Sequence, residues 1–161
     1  MLLTMKQIFT ILFDLDGTLV DTAPDLMRAH NYVMKKFGYP TKSTEEIRNL
    51  VGQGAGAMLG RSIWGQAKKE FGKVQDEDTK KEMVKDFVDF YGKNIVNESK
   101  LIDGVKDFLV WSKKKNISMG VCTNKQEHLA VDLLKKLVFM IFSNILRVII
   151  LLIIVNLTQG I

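Results

Sequence analysis

At 161 residues the chain has room for one domain, or for a small domain carrying an insertion. Hydrophobic residues at 47% against 25% charged exclude a disordered polymer. The net charge of +5 is scattered, its longest run being "KKK" at 113–115 without interleaved aromatics, which argues against a nucleic-acid surface.

The opening "MLLTMKQ" lacks the long apolar stretch of a secretion signal and runs straight into "QIFTILF" at 7–13. That short, continuous apolar run, rich in β-branched and aromatic side chains, predicts a strand buried on both faces, as in a parallel sheet. Helical periodicity follows from about residue 24 to 92. "PDLMRAHNYVMKKFG" puts Leu26, Ala29, Val33 and Phe37 on one face and stops at Gly38, with Asp21 and Thr22 placed to cap its start. "STEE" at 43–46 reads as a capping box, Ser43 facing Glu46. "VGQGAGAMLG" holds four glycines in ten residues and reads as a loop. "DTKKEMVKDFVDFYG" repeats the helical spacing through Met83, Phe87, Phe90 and Tyr91. A linker over 94–104, a helix over about 104–115, a second apolar strand "ISMGVCT" at 117–123 and a helix over about 126–137 complete the pattern.

Strand, long helical insert, helix, strand, helix is the beginning of an α/β fold: a Rossmann-like core with an incomplete parallel sheet and an inserted all-α cap. The expected division is core over 1–20 and 100–137, cap over 21–99, and an apolar tail of uncertain structure over 138–161.

"ILFDLDGTLVDT" at 11–22 sets Asp14 and Asp16 where the first strand ends. In open parallel sheets, ligands bind beyond the carboxyl ends of the strands. A two-residue step in extended chain turns both carboxylates the same way, and their mutual repulsion favours a bound cation. Hard oxygen donors suit Mg²⁺, which keeps several waters and shares a phosphate, so Asp14 and Asp16 are the expected metal ligands. Gly17 permits a sharp turn, after which the amides of Gly17 and Thr18 can form an anion nest. These parts suit phosphoryl transfer, with Asp14 as nucleophile and Asp16 as general acid and then base. A capped strand end with a solvated turn is the bland alternative.

"FDLDGTLVDTAPDL" resembles the first motif of the haloacid dehalogenase superfamily, and most closely its phosphoglycolate phosphatase branch. The family's second motif is a strand ending in Thr or Ser, and "GVCTNK" supplies Thr123, with Asn124 beside it, as phosphate-binding residues. The helical insert matches the position of the family's cap. "VGQGAGAML" resembles its cap loop, which makes Gly52, Gln53 and Gly54 a candidate substrate loop. The resemblance covers about residues 5 to 137. It implies Mg²⁺-dependent hydrolysis of a small phosphorylated metabolite such as 2-phosphoglycolate through an aspartyl-phosphate. A phosphomutase or sugar-phosphate phosphatase of the same superfamily is the alternative within it.

The family's third motif, a lysine usually before proline, and its fourth, an acidic "GDxxxD" segment, have no counterpart here, since no acid follows Asp132. Lys125 stands near the site, but at a second-motif position. This chain is therefore expected to be nearly inactive. Residues 137–155, whose only charge is Arg147, come close to the length of a membrane span and would make a membrane-anchored, non-catalytic phosphate-binding module. Ser143, Asn144 and Arg147 near the middle oppose that, and a membrane partner is expected only if this tail is native. A frameshift is the other reading. Back-translated with one inserted base, the tail reads "LGIYDFFEYIKGNNTFDYCKPDPRD", a plausible family continuation containing Lys-Pro. Cys122, the only cysteine, permits no internal disulfide, fits a cytoplasmic location and reads as a small strand residue. His30 and His128 lack clustered partners and read as surface or helix-face residues, and "NLT" at 156–158 is discounted as a glycosylation acceptor.

Overall fold

The computed structural model describes residues 10–64, 77–142 and 150–152. The first strand, β1 (Thr10–Phe13), lies parallel to β4 (Ser118–Val121), with Thr10 opposite Ser118 and Phe13 opposite Val121. On the other side of β4 runs β5 (Ile150–Leu152), also parallel, giving the order β1-β4-β5. Met119 and Val121 of the central strand are buried. β1 is not buried on both faces as expected. Thr10 and Leu12 are exposed, Leu12 at 55%, because β1 is the outer strand of the described sheet. Residues 7–9 of the expected strand lie outside the described residues.

Residues 150–152 of the apolar tail contribute a strand to this sheet. Helix α6 (Glu127–Phe142) continues past the expected end near 137, and β5 then extends the sheet along the edge of β4. Residues 143–149 and 153–161, and with them much of the proposed span, the frameshifted stretch and "NLT", lie outside the described residues. Among the described residues no helix is long and apolar enough to cross a membrane.

Between β1 and β4 the chain is mostly helical. Helix α1 (Ala23–Phe37) begins with Pro24 in its first turn and ends at Gly38, whose φ of 77° is the left-handed conformation that glycine adopts freely. The short α2 (Thr44–Arg48) carries the expected capping box: the Ser43 side chain accepts from the Glu46 amide, and the Glu46 carboxylate accepts from the Ser43 amide. The glycine-rich stretch is a loop only as far as Gln53. Helix α3 (Gly54–Leu59) starts there and passes into a π-helical turn (Gly60–Trp64). The long α4 (Glu77–Lys93) packs along α1.

One apolar core joins the helical cap to the sheet layer. Val33 and Met34 of α1, Leu59 of α3, Met83, Phe87 and Tyr91 of α4 and Leu133 of α6 belong to the same buried cluster. Gly92 sits where α4 meets α6, since a Cβ there would come 3.2 Å from Leu129 Cδ2.

The two crossings between core and cap run side by side. β2 (Val20–Asp21) pairs antiparallel with β3 (Lys100–Leu101), so the expected linker over 94–104 contains a strand. Just before β3, the buried Asp25 accepts hydrogen bonds from the amides of Asn97, Glu98 and Ser99 and from the Ser99 hydroxyl. Helix α5 (Val105–Lys114) then leads to β4.

His30 is not a surface residue. It is fully buried between α1 and the π-helical turn, with Nδ1 3.0 Å from Asn31 Oδ1 and Nε2 2.7 Å from Ser62 Oγ. One polar partner, Asn31, is the next residue, but the other, Ser62, comes from the π-helical turn, where no local spacing could reveal it. His128 is exposed on α6.

Candidate active site

The parallel register of β1 and β4 builds the site. Phe13 faces Val121, and the Cys122 amide donates to the Phe13 carbonyl at 2.8 Å, so the two strands end together. Asp14 follows β1 directly, and Thr123 follows β4 by one further residue. Asp14, Asp16, Thr123, Asn124 and Lys125 line one cavity of about 60 Å³ at this carboxyl edge. The cap supplies its other walls, with Gly52 and Gly54 from the glycine-rich stretch, Met58 from α3 and Phe87 and Tyr91 from α4. Gln53 lies between two of these lining residues and is exposed.

The two aspartates differ in their surroundings. Asp14 is exposed, and its Oδ1 accepts from the Leu15 amide at 2.7 Å. Asp16 is half-buried, and one oxygen, Oδ1, is engaged twice: the Thr22 hydroxyl donates to it at 2.7 Å and Lys125 Nζ lies 3.1 Å away. Thr22 occupies the N-cap position of α1 but makes no side-chain capping bond, its hydroxyl being committed to Asp16. Asp21 turns to Arg48, which donates from both terminal nitrogens at 2.6 and 2.8 Å. That guanidinium holds the Asp21 carboxyl below its ordinary range, with the Ala23 amide adding to the effect.

Gly17 has the positive φ, 80°, that the turn after Asp16 requires. The anion nest expected of Gly17 and Thr18 is not open here. The Gly17 amide donates to Val20 O at 2.8 Å and the Thr18 amide to Leu15 O at 3.4 Å, so both are used within the turn. Across the cavity, the buried Thr123 hydroxyl accepts from the Lys125 amide at 3.2 Å. Asn124 Nδ2 donates to Gly52 O at 2.8 Å, joining the loop after β4 to the cap, while its buried Oδ1 has no protein partner. Gly54 has a φ of 83°, and a Cβ there would lie 3.5 Å from the Asn124 carbonyl oxygen.

Lys125, given no role from the sequence, is the cation of the site among the described residues. Its Nζ also lies 3.2 Å from the Tyr91 hydroxyl and 4.4 Å from that ring's centroid. Burial pushes the Tyr91 phenol far above its ordinary range, so it stays neutral beside the ammonium. Sequence inspection could not place Tyr91 here, because its apolar spacing on α4 marks a core position and its hydroxyl finds Lys125 only in the folded chain.

The family model for haloacid dehalogenase-like hydrolases matches residues 11–149, which include both strand ends and the whole helical insert. The chain belongs to this family. It is 39% identical over 114 residues to a phosphoglycolate phosphatase of Haemophilus influenzae (strain 86-028NP), covering 70% of this chain and 50% of that protein. A phosphoglycolate phosphatase of Caulobacter vibrioides is 38% identical over 125 residues, 78% of this chain and 51% of the relative. The chain thus spans about half the length of the curated relatives it matches. In three dimensions it resembles the crystal structure of a predicted phosphoglycolate phosphatase from Haemophilus somnus 129pt, with a TM-score of 0.73 and 32% identity over 83% of this chain and 59% of that one. The family's α/β core with a helical cap is the fold seen here.

Proposed function

We propose that this chain carries the phosphoryl-transfer site of a Mg²⁺-dependent phosphatase acting in the cytoplasm on a small phosphomonoester such as 2-phosphoglycolate. The observation that carries the reading is the meeting of two strand ends in one cavity: Asp14 and Asp16 from β1, Thr123 and Asn124 from β4. The phosphoglycolate phosphatase relatives support the substrate class.

An Asp14 carboxylate oxygen attacks phosphorus, and the bond from phosphorus to the ester oxygen breaks as Asp16 gives that oxygen a proton. Water then attacks the aspartyl-phosphate, Asp16 takes its proton, and inorganic phosphate leaves with Asp14 restored. Thr123 and Asn124 hold the non-bridging oxygens, and the unpartnered Asn124 Oδ1 is left to accept from a water. The donor set suits Mg²⁺: hard carboxylate oxygens at a solvent-facing strand end, few in number, as this ion needs when it retains waters and shares a phosphate. Asp14 would be its principal ligand, since one oxygen of Asp16 is engaged by Thr22 and Lys125. When bound, the ion neutralises charge developing on the phosphoryl oxygens. The two turn amides, already hydrogen-bonded, are given no part in phosphate binding.

The test is independent of turnover. Beryllofluoride with Mg²⁺ mimics a phosphorylated aspartate, and ¹⁹F resonance detects it when bound. The wild-type chain is expected to bind it, and Asp14→Asn to lose the bound signal entirely. Equal binding by both, or none by the wild type, would remove Asp14 from the role.

A further inference from the structure

Tyr91 belongs both to the core and to the wall of the cavity. It is 1% exposed and stacks beside Phe87 on α4, yet it lines the same cavity as Asp14 and Thr123. Its hydroxyl oxygen accepts from Lys125 Nζ at 3.2 Å, since an ammonium can only donate. The phenol keeps its own proton, because burial pushes its pKa up, and that proton has no acceptor among the described residues. A buried O–H without an acceptor costs free energy that a ligand can recover.

Lys125 stands beside it with a donor to spare. Its ammonium has three N–H groups, one given to Tyr91 and one facing Asp16 Oδ1 at 3.1 Å. These are its polar partners among the described residues, and the side chain is only 6% exposed. The remaining N–H and the Tyr91 O–H are therefore two unsatisfied donors, on atoms 3.2 Å apart in one cavity wall. One charged and one neutral, so close together, they suit the two oxygens of a carboxylate.

Their place relative to the aspartates decides which part of a substrate they meet. Asp14 attacks phosphorus and Asp16 protonates the ester oxygen, so the leaving group extends from the Asp16 side of the cavity. Lys125 Nζ lies at Asp16, whereas Thr123 and Asn124 take the phosphoryl oxygens. A carboxylate two bonds beyond the ester oxygen, as in a phosphorylated 2-hydroxy acid, comes within reach of the ammonium and the phenol.

We propose that Lys125 and Tyr91 form a carboxylate subsite, which makes this cavity selective for phosphate esters of short hydroxy acids over esters with an uncharged leaving group. This subsite rests on the phosphatase reading, which supplies the phosphoryl end of the ligand. Selectivity arises because an ester without the carboxylate leaves both donors unpaired in the bound complex. A lysine acting on the phosphate itself would favour every ester alike.

Calorimetry on the full wild-type chain with Mg²⁺ tests this with two phosphonates that cannot be hydrolysed. 3-Phosphonopropionate carries a carboxylate where propylphosphonate carries a methyl group, and the two are otherwise alike. The wild type is expected to bind the first at least about tenfold more tightly. Tyr91→Phe, which keeps the ring and removes the hydroxyl, is expected to cut that preference about fivefold, and Lys125→Met to abolish it. Affinity for propylphosphonate should stay within about twofold in both variants. Equal binding of the two phosphonates by the wild type, or no binding of either, would overturn the subsite, as would equal losses for both ligands in Tyr91→Phe. If Lys125→Met fails to fold, Tyr91→Phe alone decides. Beryllofluoride binding without a carboxylate preference discards only the subsite. A carboxylate preference without beryllofluoride binding sinks the phosphatase reading and leaves the subsite.

Discussion

His30 shows how one buried side chain makes the fold depend on pH. Asn31 Oδ1 already accepts the Lys42 amide at 2.8 Å and can only accept, so His30 Nδ1 carries the proton and Nε2 accepts from Ser62. Desolvation drives the ring's pKa below its ordinary value of 6.5. The Asn31 contact opposes that, and the facing charges of Lys42 and Glu46 pull in opposite directions. A lowered folded-state pKa means the unfolded chain binds the proton first. The stabilisation is complete above about pH 6.5 and is lost as pH falls through the folded-state value. Urea unfolding from pH 8 to 5 should show this decline, and His30→Gln should flatten it. An equal decline in both would assign the acid sensitivity elsewhere.

Between elements, the Asp25 clasp holds together the two ends of the cap where it joins the core. It joins the first turn of α1 to the strand leading back into the sheet, accepting four hydrogen bonds from Asn97, Glu98 and Ser99 while 1% exposed. Asp25→Ala leaves the buried Ser99 donors unpaired and is expected to cost roughly 3 kcal/mol. The Arg48–Asp21 pair also ties a cap helix to the crossing strands, but Arg48 is 42% exposed. Arg48→Ala should therefore cost less than about 1 kcal/mol. Denaturation of the two variants side by side checks the order, and a larger loss for Arg48→Ala would overturn it. The helices themselves are well marked in the residues. Gly38 stops α1 because it can take positive φ, and the Ser43–Glu46 box starts α2 because two amides need acceptors. The clasp is not marked, since Asp25 reads as an ordinary acid in a first turn and its partners lie more than seventy residues away.

For the whole molecule, an aromatic pair on α5 is exposed among the described residues. Phe108 is 42% exposed and Trp111 48%, and Phe108 stacks on Trp111 while meeting Phe13 edge-on at 6.0 Å. Exposed apolar surface of this kind promotes self-association. Trp111→Gln is expected to reduce association, measured by sedimentation velocity, while shifting stability by no more than about 0.5 kcal/mol. Unchanged association would place the contact elsewhere, and a large loss of stability would mean the indole is packed.

The residues alone determined the two strand ends, the amphipathic helices between them and the aspartate pair at the end of the first strand, because each rests on short-range chemistry, whereas Thr123 is singled out only by the family resemblance. Period-2 and period-3.6 patterning, caps and a turn glycine all act within a few residues. Only the tertiary structure decided that β1 is an outer strand of the described sheet, that part of the apolar tail joins the sheet as β5, and that His30 is buried. It alone brought Lys125 between Asp16 and Tyr91. Each of these depends on contacts between segments far apart in the chain, where a lysine's charge or a tyrosine's hydroxyl has no preferred partner until packing removes water and leaves one within reach.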